Sequence, residues 1–269
     1  EHFHGEYEPG DKFRIELCDG AFVKLKLDPT LAESIVYVPD GTFEFTVPFG
    51  YERRACYGTV AFTGDSHRIR VCEPTEAEIY GEREISLNSH DRHNVPKYFP
   101  HAVANFVTRE DPSFFERNAI DGVCDNSNHG AYPYHSWGGG LREDLEFTVQ
   151  FGMEVEVNEI VIHIRADFPH DTYWKECDVE FSDGTKVHAE LIGTAEGQKV
   201  SFEPKTTEMV KLTGFKQQRL EDGSLSFAAL TQIEVYGNYI KKENEGMEVR
   251  DAANAKDVKY YTTDRLREE

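Results

Sequence analysis

Apolar residues fall at every second position along much of this chain, and that period constrains the fold more than any other feature. Lys12-Phe-Arg-Ile-Glu-Leu17 and Phe22-Val-Lys-Leu-Lys-Leu27 show it. So do Thr42-Phe-Glu-Phe-Thr-Val47 and His67-Arg-Ile-Arg-Val71. Successive side chains of a strand point to opposite faces, so alternation gives one buried face and one wet face. Turn signals separate the runs: Asp19-Gly20, Asp40-Gly41, Phe49-Gly50 and Thr63-Gly64. No amphipathic helix stands out in the first hundred residues. Residues 1–84 therefore read as a small antiparallel β-sandwich.

Strand patterns continue beyond a polar connector. Residues 85–117 hold Asn88, the run Ser89-His-Asp-Arg-His-Asn94 and then Phe99–Phe106, which fits a first strand. Phe114–Ala119 suits a short helix. Further strands are expected at Leu145–Val149, Glu159–Arg165, Lys199–Phe202, Met209–Leu212 and Ala229–Tyr236. Cys177–Phe181 and Lys186–Leu191 flank Ser182-Asp-Gly-Thr185, a hairpin signal. The expected class is all-β, with a second sandwich over 85–239. The charges of the last 30 residues, seven Lys/Arg and eight Asp/Glu, nearly cancel. Residues 240–269 read as a charged extension in which Val258, Tyr260 and Tyr261 can pack.

Two segments carry more information than the strands. One is Asn118-Ala-Ile-Asp-Gly-Val-Cys-Asp-Asn-Ser-Asn-His-Gly-Ala-Tyr-Pro-Tyr-His-Ser-Trp137. The other is Gln232-Ile-Glu-Val-Tyr-Gly237. With Ala-x-Asp-Gly…Trp opening and Glu-Val-Tyr-Gly closing, residues 85–239 resemble the discoidin-like, coagulation-factor type C family. Its members are galactose-binding-like jelly-roll β-sandwiches and include many carbohydrate-binding modules. The resemblance implies non-catalytic carbohydrate recognition. It also implies a structural calcium ion held by Asp121, Asp125, Ser127 and Glu234. Calcium takes six to eight oxygen ligands, and Asp121–Asn128 is dense in them. Val123-Cys124 departs from the family, which often carries polar residues there. The alternative for this loop is an Asx-rich turn that satisfies its own backbone.

Net charge is −21. Phosphate backbones are bound by clustered Lys and Arg, so a nucleic-acid partner is not expected, nor is an anionic membrane surface. Neutral ligands, cationic ligands and divalent metals suit this charge. The five cysteines, Cys18, Cys56, Cys72, Cys124 and Cys177, contain no Cys-x-x-Cys pair. They read as scattered reduced thiols, with a Cys56–Cys72 bridge as the alternative. The first residues show no basic region followed by an apolar one. A cytoplasmic setting is expected, or a secreted one if a leader was removed.

Sugars are held by aromatic faces and planar polar side chains. Tyr132–Trp137 and Arg165–Trp174 supply such groups, and binding residues concentrate in loops at sandwich ends. The candidate glycan set is Tyr134, His135, Arg165, His170, Asp171 and Trp174; Trp137 is expected in the core. A module binding a protein partner is the first alternative. A hydrolase is the second, since Gly64-Asp-Ser66 has the residues of an esterase nucleophile block and Asp167-Phe-Pro-His170 an acid–base spacing. The strand-like run after Ser66 argues against it, because those enzymes place a helix there.

Overall fold

In the computed structural model, residues 2–166 and 172–241 are described, together with a strand at 260–261. The first part carries β1 (His2–His4), β2 (Lys12–Glu16), β3 (Ala21–Lys26), β4 (Ser34–Val38) and β5 (Thr42–Thr46). β6 (Ser66–Arg68) and β7 (Arg70–Cys72) follow. β2 pairs with β5, β3 lies between β4 and β7, and β1 pairs with β6, all antiparallel. The alternation read from the sequence is realised directly. Phe13, Ile15, Phe43 and Phe45 from one sheet are buried with Val23, Leu25, Val36 and Val38 from the other. Their polar neighbours stay outside, as a two-layer core requires.

Two short helices interrupt the strands, contrary to expectation. α1 (Gly50–Cys56) begins where a turn was expected, and α2 (Glu76–Tyr80) follows Thr75. α2 has a reciprocal cap: Thr75 Oγ1 accepts from Glu78 N, and Glu78 Oε2 accepts from Thr75 N. The Thr-x-x-Glu spacing signals that cap. Five residues are too few to show a helical period, so apolar patterning alone does not reveal this helix.

The second part holds β8 (Arg83–Glu84), β9 (His101–Ala104), β10 (Trp137–Gly138), β11 (Phe147–Ile164) and β12 (Trp174–Phe181). It is completed by β13 (Lys186–Glu190), β14 (Gln198–Gln217) and β15 (Ala229–Tyr239). The order is β10-β15-β11-β14-β12-β13, with β8 beside β15 and β9 beside β11. β16 (Tyr260–Tyr261) returns to pair with β2. Among the described residues no helix is long and apolar enough to cross a membrane.

Two expected strand pairs are single bent strands. Leu145–Val149 and Glu159–Arg165 belong to β11; Lys199–Phe202 and Met209–Leu212 belong to β14. β11 pairs with β9 over Phe147–Gln150 and with β15 from Val155 onward. The change of partner falls at Gly152, which has φ +74°. A Cβ there would strike the Phe99 ring, so both the backbone sign and the space require glycine. The bend lets one strand serve both layers. Between the layers lie Trp137, Phe147, Val149, Ile160, Ile162, Trp174, Phe181, Leu212, Phe215, Ile233 and Val235.

The connector is not an exposed linker. Ser86, Asn88, Ser89, His90 and Asp91 are all buried. They line a polar seam between the two parts: Leu27 N donates to His90 Nε2 (3.1 Å), Ser34 Oγ meets Ser89 Oγ (3.2 Å), and Tyr37 N donates to Phe99 O (2.7 Å). At its centre is Arg117, whose side chain is 2% exposed. Its Nε donates to Asp91 O and its terminal nitrogens to Ser89 O, Cys56 O, Asn118 Oδ1 and Asp121 Oδ2. The guanidinium also lies over the Tyr57 ring (4.6 Å). A buried charge needs this degree of satisfaction.

Candidate functional site

The Asp121-Gly122 motif folds for local reasons. Asp121 Oδ1 accepts from Val123 N (3.1 Å), closing an Asx turn. Gly122 has φ +86°, and its N–H donates to Gln232 Oε1 (3.2 Å). The loop is thereby laid over the outer face of β15. Asn126 pins its far side, donating to Ile164 O (3.1 Å) and Ala195 O (3.0 Å).

These contacts bear on the expected calcium. Asp121 Oδ2 already accepts from Arg117 NH1 (3.3 Å) and lies 2.7 Å from His135 Nε2. The guanidinium supplies the positive charge that a metal ion would bring. Asp125 and Ser127 are exposed, and Glu234 is engaged by His163 and Tyr236. This donor set does not fit an oxygen-only calcium cage.

Glu234 instead meets His163, which the sequence reading did not single out, and Cys124, noted there only as a scattered thiol and a departure from the family. Cys124 Sγ, one imidazole nitrogen of His163 and a Glu234 carboxylate oxygen lie within 4.8 Å of one another. His163 Nε2 is 2.9 Å from Glu234 Oε1, and Tyr236 OH donates to Glu234 Oε2 (2.8 Å). The register places Val161 opposite Glu234 and His163 opposite Gln232, so His163 and Glu234 are diagonal neighbours on the outer face. Each is the lone polar residue in an apolar run, Ile160-Val-Ile-His-Ile164 and Ile233-Glu-Val235. That pattern was the available signal. Nearby, burial and then the charge of Glu234 push the Glu84 carboxyl up to about 7.

The expected glycan set divides. Trp174 is 1% exposed, stacked on Trp137 (5.7 Å between ring centroids) and tilted against Phe215 (4.6 Å). It is a core residue, because β12 turns it inward; Trp137 is core as anticipated. His135 is also buried, held against Asp121 and stacked with Tyr132 (5.3 Å). Arg165 is buried and donates to Phe227 O (3.0 Å), so it braces a loop from beneath. Tyr134 is half-buried. His170 and Asp171 lie outside the described residues, as does Asp167.

Hydrogen bonds and packing join several loops at this end of the second sandwich. Gln217 Nε2 donates to Thr172 Oγ1 (2.5 Å) and to Ser226 O, and Gln218 N donates to Tyr173 O (2.8 Å). Tyr173 packs over Gly193, where a Cβ would come within 2.8 Å of its ring. Around them Ile192, Leu220 and Phe227 are exposed by 68%, 42% and 49%. Tyr173, Phe227 and Ile192 were not singled out from the sequence.

The chain is similar in structure to carbohydrate-binding modules. Chitosan-binding module 1 from a chitosanase/glucanase of Paenibacillus sp. IK-5 is 18% identical; the match covers 58% of this chain and 99% of that one, with a TM-score of 0.38. The family 32 module of C. perfringens NanJ, solved with galactose, is 20% identical over 50% of this chain and 91% of that one, with a TM-score of 0.37. A Streptococcus pneumoniae fucose-binding module is 13% identical over 60% and 99%, with a TM-score of 0.38. No protein-family model matches the chain, and no curated protein matches it in sequence.

The esterase reading gains no partner for Ser66 from its chain neighbour, and its Asp167 and His170 lie outside the described residues. Ser66 is exposed on β6, and the adjacent His67 is buried on the opposite face with Nε2 2.9 Å from Gly5 O. The five cysteines are free, and Cys56 donates its thiol to Pro112 O (3.1 Å).

Proposed function

We propose that the second sandwich is a non-catalytic glycan-binding module whose site is the loop end holding Tyr173, Phe227, Arg165 and Gln217. One observation carries this reading: the half-buried Tyr173 and the exposed Phe227 sit on loops tied together at one end of the sheet by Gln217 and the buried Arg165, through hydrogen bonds to Thr172, Ser226 and the Phe227 carbonyl. Rings cover the C–H faces of a sugar, and fixed polar groups beneath select its hydroxyls. The charge of −21 favours a neutral sugar over an acidic one. His170 and Asp171 belong to the same loop by sequence.

The test is a glycan array probed with the wild-type protein, with and without calcium, and with Tyr173→Ala and Phe227→Ala. Selective binding that both substitutions abolish, with thermal melting unchanged, is the expected result. Binding that survives both substitutions, or no binding to any glycan, sinks it. The exposed Ile192 and Leu220 favour a second reading, a protein partner docked on the same end. Capture that persists after the partner is deglycosylated would select that reading.

A further inference from the structure

We infer that Cys124, His163 and Glu234 form a binding site for a soft or borderline divalent metal such as zinc. This departs from the oxygen-bound calcium that the resemblance implies, which the contacts of Asp121 do not fit. The donors are one thiol, one imidazole and one carboxylate, and their ligand atoms lie within 4.8 Å of one another. Zinc is bound at about 2.3 Å by thiolate and about 2.0–2.2 Å by imidazole or carboxylate, usually in tetrahedral geometry. Its ligand atoms then stand roughly 3–4 Å apart, so closing this cluster needs only a small shift of the exposed Cys124.

Three features of the surroundings support the assignment. Tyr236 holds Glu234 Oε2, leaving Oε1 turned toward His163. Such an outer partner fixes a ligating carboxylate in position. Gly197 covers the imidazole: a Cβ there would come within 2.7 Å of His163 Cε1 and 3.0 Å of Nε2. The three donors also come from separate elements, a loop and two adjacent strands, already held together by Gln232 and Asn126. Sulfur and imidazole disfavour calcium and magnesium and suit zinc, cobalt and copper. Three protein ligands leave a fourth position for water, the arrangement of an open rather than a closed site. On binding, the Cys124 thiol gives its proton to solvent as its sulfur bonds the metal, with no change of oxidation state.

The test uses the full chain, freed of metal with a chelator and kept reduced, and titrated with Co²⁺ and then Zn²⁺. The expected result is one equivalent of Co²⁺ with a cobalt–thiolate charge-transfer band, displaced by Zn²⁺ and untouched by excess Ca²⁺. The band should vanish in Cys124→Ser and persist in Cys18→Ser. His163→Gln and Glu234→Gln should weaken binding, and Tyr236→Phe should weaken it about tenfold. A band retained in Cys124→Ser, tight binding unaffected by His163→Gln, or no thiolate band at all would each overturn the assignment. Cys124 is exposed, so Cys124→Ser is expected to melt as the wild type does in the absence of metal.

Discussion

His90 holds one tautomer in the folded chain. Leu27 N–H donates to Nε2, so that nitrogen must present its lone pair. Ser89 Oγ gives its own proton to Ala32 O (2.7 Å), leaving it to accept from His90 Nδ1–H (3.1 Å). Burial, with the charges of Arg117 and Lys26, pushes the imidazole pKa down to about 3. The unfolded chain takes up a proton near the ordinary value of about 6.5, and the folded chain resists it. The stability His90 contributes is thus present above pH 6.5 and lost as pH falls toward 3. A loss on the order of 5 kcal/mol at most is expected across that window. Urea midpoints from pH 7 to pH 4 should fall steeply in the wild type and less steeply in His90→Gln; parallel slopes would remove His90 as the cause. Trp174 gives a second prediction at this scale. Trp174→Ala should lower stability by about 3–5 kcal/mol, measured by urea unfolding. Trp174→Phe should retain any ligand binding, because the residue supports the site through the core without facing it.

Within the elements, close approach dictates the glycine of the closing motif. A Cβ on Gly237 would collide with Glu156 O and lie 2.9 Å from Val157 Cα, where β15 and β11 run side by side. Gly237→Ala should therefore lower stability by about 1–3 kcal/mol, read as a lower urea midpoint at unchanged slope. A stability equal to wild type would show that the strands can part there. The same strands mark how far the sequence was legible. Alternation at Phe13, Ile15, Phe43 and Phe45 named the buried face correctly, because period two is all that such a face needs. It could not show that two apparent strands were one, since alternation runs on from Val149 through Phe151 to Val155 while the backbone turns a corner. The run Ser89–Asn94 read only as part of a polar connector, because local pattern shows no more than that its members are polar. Their partners, Ser34, Leu27 and Arg117, come from distant segments that local pattern cannot join. At the candidate site, Asp121 and Glu234 were recognisable by motif, but their neighbours were not. Arg117 and His135 beside one, and His163 and Cys124 beside the other, are set by strand register and loop path.

Across the whole molecule, Arg117 bridges the two sandwiches, which are therefore expected to unfold as one cooperative unit. It binds Cys56 O and covers Tyr57 in the first, and it binds Asp121 and Asn118 in the second. Arg117→Met should cost about 3–5 kcal/mol, because buried carbonyls and the Asp121 carboxylate lose their donor. Calorimetry should show a single transition in the wild type and a separated, earlier one in the variant. Two resolved transitions in the wild type would refute the coupling. The placing of β15 has a consequence in time. This strand lies between β10 and β11 and also receives β8, yet it follows all of them in the chain. A protein is made from its first residue onward, so every neighbour of β15 leaves the ribosome before their shared partner exists. Until Ala229–Tyr239 emerges, the apolar inner face of the second sandwich has no lid and the seam under it has no floor. Folding of that half is thus postponed until Ala229–Tyr239 has emerged and can pair with β8, β10 and β11.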